Sequence, residues 1–151
     1  WGTFFLCTAA ILLGSVLTNE STGISAFVNT MLRPIFSSMS LVAFYVTLLV
    51  ITLVLTNICN SLVVGMLMQP VIASFCLSSG INSAPITSLI IIFVLASASV
   101  TPSASPFAAM IHGNKEWLKS GEIYKHTMMF AAIELILAIV VGIPVASVLI
   151  H

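Results

Sequence analysis

Apolar residues run in long blocks along this chain, and the polar residues between them come in short clusters. Phe4 to Leu17 is the first block, closed by Thr18-Asn19-Glu20-Ser21-Thr22, and it predicts a short span over 1–18. Ile24, Phe27, Val28, Met31 and Leu32 then recur at helical spacing with Ser25, Asn29 and Thr30 opposite. That pattern predicts an amphipathic interfacial helix over 22–33, ended by Pro34. Leu41 to Leu55 and Leu62 to Leu77 are two further apolar blocks, the second containing Pro70, and Thr56-Asn57-Ile58-Cys59-Asn60-Ser61 lies between them. Each block falls short of the roughly 20 residues that cross a bilayer as a helix. Over 38–79 the pattern therefore reads either as a re-entrant hairpin with a polar tip or as two tilted spans with a surface turn.

The next block, Thr87 to Val100, runs into Ser97-Ala98-Ser99-Val100-Thr101-Pro102-Ser103-Ala104-Ser105-Pro106 and resumes at Phe107. Two prolines four apart remove backbone donors and obstruct the preceding turns. This predicts a broken helix over 86–113, with a simple surface loop as the other reading. Residues 114–125 gather most of the charge, and Asn114 is the expected N-cap there. Trp117 and Tyr124 are of interfacial type, and the lysine excess favours the cytoplasmic side. The last span is predicted over 126–150. Ala138, Gly142 and Ala146 form a stripe of small residues suited to close helix contact, and Gly142-Ile143-Pro144 should bend the helix. Glu134 is an intramembrane carboxylate; proton coupling and a packing or water-facing role are its two readings.

Composition sharpens this pattern. The chain has 151 residues, 60% hydrophobic and 5% charged, with a mean hydropathy of +1.23; soluble domains carry about 25% charged residues. No Asp, Glu, Lys or Arg lies between Arg33 and Lys115, and there is no Asp at all. A soluble fold, a disordered tail and a nucleic-acid binder are excluded, leaving an all-α, polytopic protein of the lipid bilayer. Cys7, Cys59 and Cys76 follow no C-x-x-C spacing and read as buried thiols. No catalytic motif is present, so an enzyme is not expected. Trp1-Gly2-Thr3 lacks the basic start of a signal peptide, and a chain starting at Trp1 points to a piece of a longer polypeptide.

The polar islands at 56–61 and 97–106 contain hydroxyls, amides and interrupted backbone but no ionised side chain. Neutral oxygens suit sodium, and helix N-termini suit an anion. Broken helices meeting near the midplane are a construction of secondary transporters.

The tip Asn60-Ser61-Leu62, ahead of Pro70, and the interruption Pro102-Ser103-Ala104-Ser105-Pro106-Phe107-Ala108-Ala109, ending at Gly113, carry a resemblance. Over essentially its whole length the chain resembles the C-terminal repeat of the divalent-anion/sodium symporter family, whose members carry dicarboxylates, citrate or sulfate. Where that family reads Ser-Asn-Thr, this chain reads Asn60-Ser61-Leu62, and Ala108 stands in place of an asparagine. The resemblance implies a sodium site at Asn60, Ser61, Ala104, Ser105 and Pro106. It implies a substrate site for a small anion at Asn60, Ser61, Leu62, Pro106 and Phe107. It further implies an N-terminal repeat of the same transporter as partner, a homodimer, and a multi-pass location in the plasma or inner membrane with Lys115, Lys119 and Lys125 inside. The alternatives are an uncoupled permease or channel-like protein, a proton-coupled divergent transporter, and a non-transporting membrane subunit.

Overall fold

A computed structural model of the protein describes residues 39–150 except Lys115, together with Phe5, Thr8, Leu12, Ser15, Val16, Asn19–Gly23, Ala26, Phe27 and Thr30. The expected span over 1–18 and the interfacial helix over 22–33 lie largely outside the described residues. Among the described residues the protein is all-helical, with no strand.

Helix α1, Leu41–Ile58, begins where the Ser40 hydroxyl accepts the Ala43 N–H at 3.3 Å. A two-residue turn, Cys59-Asn60, leads to α2, Ser61–Ser78. Both helices have 18 residues, about 27 Å of rise each, so each extends past the apolar block that predicted it. Pro70 sits inside α2, where it removes one donor from the ladder. The end of α2 is closed by a left-handed glycine: Gly80 has φ +68°, its N–H meets the Leu77 carbonyl at 3.3 Å, and the Ile81 N–H reaches back to Cys76 at 2.9 Å. These are the two bonds of a Schellman cap, and a side chain at Gly80 would strain it.

Helix α3, Ala84–Ala96, starts three residues before the expected Thr87. Pro85 is tolerated in a first turn, and the Asn82 side chain accepts the Ala84 N–H at 3.0 Å. The helix stops at Ala96 and a helical path resumes only at α4, Pro106–Gly113. Asn114, expected as an N-cap, is instead the C-cap of α4, and its carbonyl accepts from Trp117 at 3.2 Å and Leu118 at 3.3 Å. The physical reason is that the chain turns at 116–118, so the next helix cannot begin until Ser120. Helix α5, Ser120–Leu137, then runs through a π-helical turn, Ala138–Gly142, into α6, Ile143–Leu149. The end of the charged segment, with Glu122 and Lys125, and the last apolar block thus share one helical rod of 30 residues, Ser120–Leu149.

Helix α3 is the centre of the packing and touches α1, α2 and α6. Its Ile86, Ile90, Phe93 and Val94 are almost fully buried, together with Leu49 of α1 and Ile72 of α2. Phe44 of α1 and Phe75 of α2 add a ring contact with centroids 5.2 Å apart. Two glycines let neighbouring backbones approach α3. A Cβ at Gly65 would lie 3.5 Å from Val94, and one at Gly142 would lie 2.6 Å from Leu89. Ala138 and Ala146 are buried on either side of Gly142, so the small-residue stripe is a packing surface against α3.

Among the described residues two helices, α1 and the rod Ser120–Leu149, are long and apolar enough to cross a membrane. Only 17% of the most apolar window of that rod is buried within the protein, against 39% for α1. The rod therefore leaves most of its apolar surface for other surroundings. Gly142→Leu should destabilise the protein in detergent by about 1–3 kcal/mol through overpacking at Leu89. Gly121→Leu, at a site with nothing within 4 Å, should leave the melting temperature nearly unchanged.

Candidate functional site

The two polar islands come together at one junction. Four helix ends meet there: the C-terminal ends of α1 and α3 and the N-terminal ends of α2 and α4. The last carbonyls of a helix and its first N–H groups have no partner within the helix and need one elsewhere. At this junction each interrupted helix supplies those partners to the other.

Asn57, in the last turn of α1, carries the largest share. Its side-chain nitrogen donates to the Leu53 carbonyl at 2.9 Å and, across the junction, to the Ser97 carbonyl at 3.1 Å. Its Oδ1 accepts the Val100 N–H at 2.9 Å. One carboxamide thus satisfies both a donor and an acceptor of the interrupted backbone after α3. The exchange runs the other way as well. The Thr101 hydroxyl donates to the Asn57 carbonyl, the Ser103 hydroxyl donates to the Ile58 carbonyl at 3.2 Å, and the Ser61 N–H donates to the Ala104 carbonyl at 2.9 Å. Ser105 closes the loop locally: its hydroxyl donates to the Ala98 carbonyl at 2.7 Å and accepts the Ala108 N–H at 3.1 Å, capping α4.

Of the residues singled out from the sequence, Asn60, Ser61, Ala104 and Ser105 are brought to this junction. Asn60 is the N-cap of α2, with its Oδ1 accepting the Leu62 N–H at 3.0 Å. Ser61 and Ala104 are buried and joined directly through the backbone. Leu62 is half-buried in the first turn of α2. Pro106 begins α4 at the junction, whereas the Phe107 side chain is 78% exposed and lies outside the hydrogen-bonded network.

Sequence reasoning did not single out Asn57, Thr101 and Ser103. Asn57 was visible as part of the tip cluster, and the usable signal was its chemistry. A carboxamide in the last turn of a helix can serve both an orphan donor and an orphan acceptor. Thr101 and Ser103 flank Pro102 and looked like loop residues, although their hydroxyls are the donors that the carbonyls of α1 need.

Two more hydroxyls stand out by their lack of partners. Thr52 and Thr56 are fully buried on one face of α1, four residues apart, and neither hydroxyl oxygen has a hydrogen-bond partner. Thr47 and Thr127 instead donate back to the preceding turn, to Ala43 at 2.8 Å and Ile123 at 2.9 Å, whereas Thr87 of α3, away from the junction, also has a buried hydroxyl without a partner. Ser99, inside the interruption, also has a buried hydroxyl oxygen without a partner. Among the described residues no three His, Cys, Asp or Glu side chains gather into a metal-binding group. The junction is accordingly a place of neutral oxygens and helix dipole ends. Two C-terminal ends favour positive charge and two N-terminal ends favour negative charge.

No family model, curated protein or solved structure matches this chain.

Removing the Asn57 carboxamide orphans the Val100 N–H and leaves the Ser97 carbonyl with the Ser99 N–H, at 3.0 Å, as its remaining donor. Asn57→Ala should therefore lower stability by about 1–3 kcal/mol for the unpaired Val100 N–H, with the lost bond to the Ser97 carbonyl in addition. Asn60→Ala removes only a cap, worth about 1 kcal/mol. Thermal unfolding of the two variants in the same detergent checks the order; equal losses would contradict this division of roles.

Proposed function

We propose that the chain is a binding half of a secondary active transporter, a multi-pass membrane protein that moves a small anion of the di- or tricarboxylate or sulfate type by alternating access. Sodium is the proposed coupling ion. The single observation that carries this reading is the junction, where two interrupted helices exchange backbone hydrogen bonds around the Asn57 carboxamide. Irregular backbone at membrane depth persists where it is buried in protein or lines a cavity, and transporters use such breaks to bind ions and substrates.

The chemistry at the junction fits the two cargoes separately. For sodium, the candidate donors are neutral oxygens near the C-terminal ends of α1 and α3. Asn60, Ser61, Ala104, Ser105 and Pro106 frame that region, and Thr56 adds a buried hydroxyl whose oxygen has no other partner. For the anion, the first turns of α2 and α4, at Asn60, Ser61, Leu62, Pro106 and Phe107, offer positive dipole ends; the Ser61 and Leu62 N–H groups already serve the Ala104 carbonyl and the Asn60 side chain, and Pro106 has none. The exposure of Phe107 suits a surface completed by another part of the transporter. In this proposal that part is an N-terminal repeat, the assembly is a homodimer, α1–α2 is a re-entrant hairpin, and α3–α4 is a broken membrane helix.

The test is uptake of labelled succinate, citrate or sulfate by the full-length protein in liposomes, with and without a sodium gradient. Saturable uptake raised by inward sodium is expected, and no saturable uptake of any of the three would overturn the reading. Saturable uptake indifferent to sodium would instead favour an uncoupled permease. Thr56→Val separates function from folding. Loss of one sodium ligand should raise the sodium concentration for half-maximal uptake about tenfold, equivalent to roughly 1.4 kcal/mol. The same change should leave the melting temperature unchanged or raise it, because an unpartnered buried hydroxyl is removed.

A further inference from the structure

Glu134 lies at the middle of the 30-residue rod Ser120–Leu149, one turn before the π-helical turn at Ala138–Gly142. It lines an open groove of about 360 Å³ between α3 and the outer rod. The remaining wall is apolar, with Leu89, Phe93 and Ala96 from α3 facing Leu137 and Val141. The Oε2 oxygen of Glu134 is buried and has no hydrogen-bond partner.

No other titratable or charged group lines this groove. Helix α3 and α6 carry none, and the titratable residue of α1 is Tyr45. On α4 it is His112, whose ring packs 4.8 Å from the Tyr124 ring. On its own helix the nearest such groups, His126 and Lys125, are eight and nine residues before Glu134, at least about 12 Å along the helix, with Tyr124 and Glu122 further off. Glu134 therefore has no cationic neighbour within the described chain to hold it as a carboxylate. A hard metal cation needs several oxygen ligands, and the groove wall supplies one carboxyl group. A proton needs only one.

We propose that Glu134 is a proton-binding site, separate from the junction at Asn57. With lipid in the groove the group is the neutral acid. When water reaches the groove, its O–H bond breaks, the proton passes to water, and the carboxylate remains. The π-helical turn, a feature frequent at functional sites, and the close approach of Gly142 to Leu89 lie at one end of this seam. Ala96, the last residue of α3 before its interruption, lies in the groove wall. Protonation of Glu134 thus bears on the packing of the helix whose end forms the junction. A proton effect on transport rests on the proposed transport function, whereas the proton site itself does not.

Infrared difference spectroscopy of the full-length protein in liposomes, across a pH titration, tests the site without any substrate. A carbonyl stretch of a protonated carboxyl is expected, lost as pH rises and absent in Glu134→Gln. Should that variant fail to fold, Glu134→Asp gives the assignment through a displaced band. No protonated-carboxyl band, a band unchanged in both variants, or a band that persists at every pH overturns the proposal; the first of these is the result if a cation from elsewhere in the protein pairs with Glu134. In a separate arm, uptake should vary with pH by up to about tenfold per unit in the wild type and lose that dependence in Glu134→Gln. A pH-sensitive band with no measurable uptake would leave the proton site standing and remove the transport function.

Discussion

The Asn57 carboxamide holds together two helices that each stop short. Its nitrogen takes the Ser97 carbonyl and its oxygen takes the Val100 N–H, so the backbone after α3 can leave the helix without orphaned polar groups. The rest of the structure depends on this exchange. Without it, the segment 97–105 would have to stay helical despite Pro102 and Pro106 or find water. Thr101, Ser103 and the Ala104 carbonyl return the same service to the ends of α1 and α2. The interruptions are therefore mutual, and neither is stable as drawn without the other.

That arrangement places four helix ends of mixed polarity at one point with no ionised side chain among them. In the proposed transporter, charge recognition there rests on dipole ends, hydroxyls and carbonyls, which are preorganised by the same hydrogen bonds that support the fold. Thr56 and Ser99 are the members of this region left without partners. A buried polar atom without a partner is unfavourable to folding, which makes these two hydroxyls the natural places to look for an ion. The outer rod has the opposite character. It presents a long apolar surface, packs on α3 through Ala138, Gly142 and Ala146, and carries its single interior carboxyl in an apolar groove.

Much of the helix pattern was legible in the sequence. The polar clusters at 56–61 and 97–106 mark where helices end, because prolines and clustered small polar residues interrupt an otherwise apolar ladder. Ser105 and Asn60 have residue types that favour N-caps, but that they cap α4 and α2 was shown only by the structure. Helix starts were less legible: Asn114 has cap chemistry but closes a helix, since the decision belongs to the turn at 116–118. Phe107 sits beside a motif residue in sequence yet points outward, because a one-residue step along a helix rotates a side chain by about 100°.

By itself the sequence determined an all-helical chain whose uncharged middle breaks twice, since hydropathy, proline and capping chemistry are local properties. Only the tertiary structure decided that the two breaks are one site. Hydrogen bonds between residues forty or more positions apart, such as Asn57 with Ser97 and Val100, leave no local trace in composition or spacing. The same holds for Glu134. The sequence showed a carboxyl in an apolar helix, and only packing against α3 showed that its surroundings offer it no charged partner.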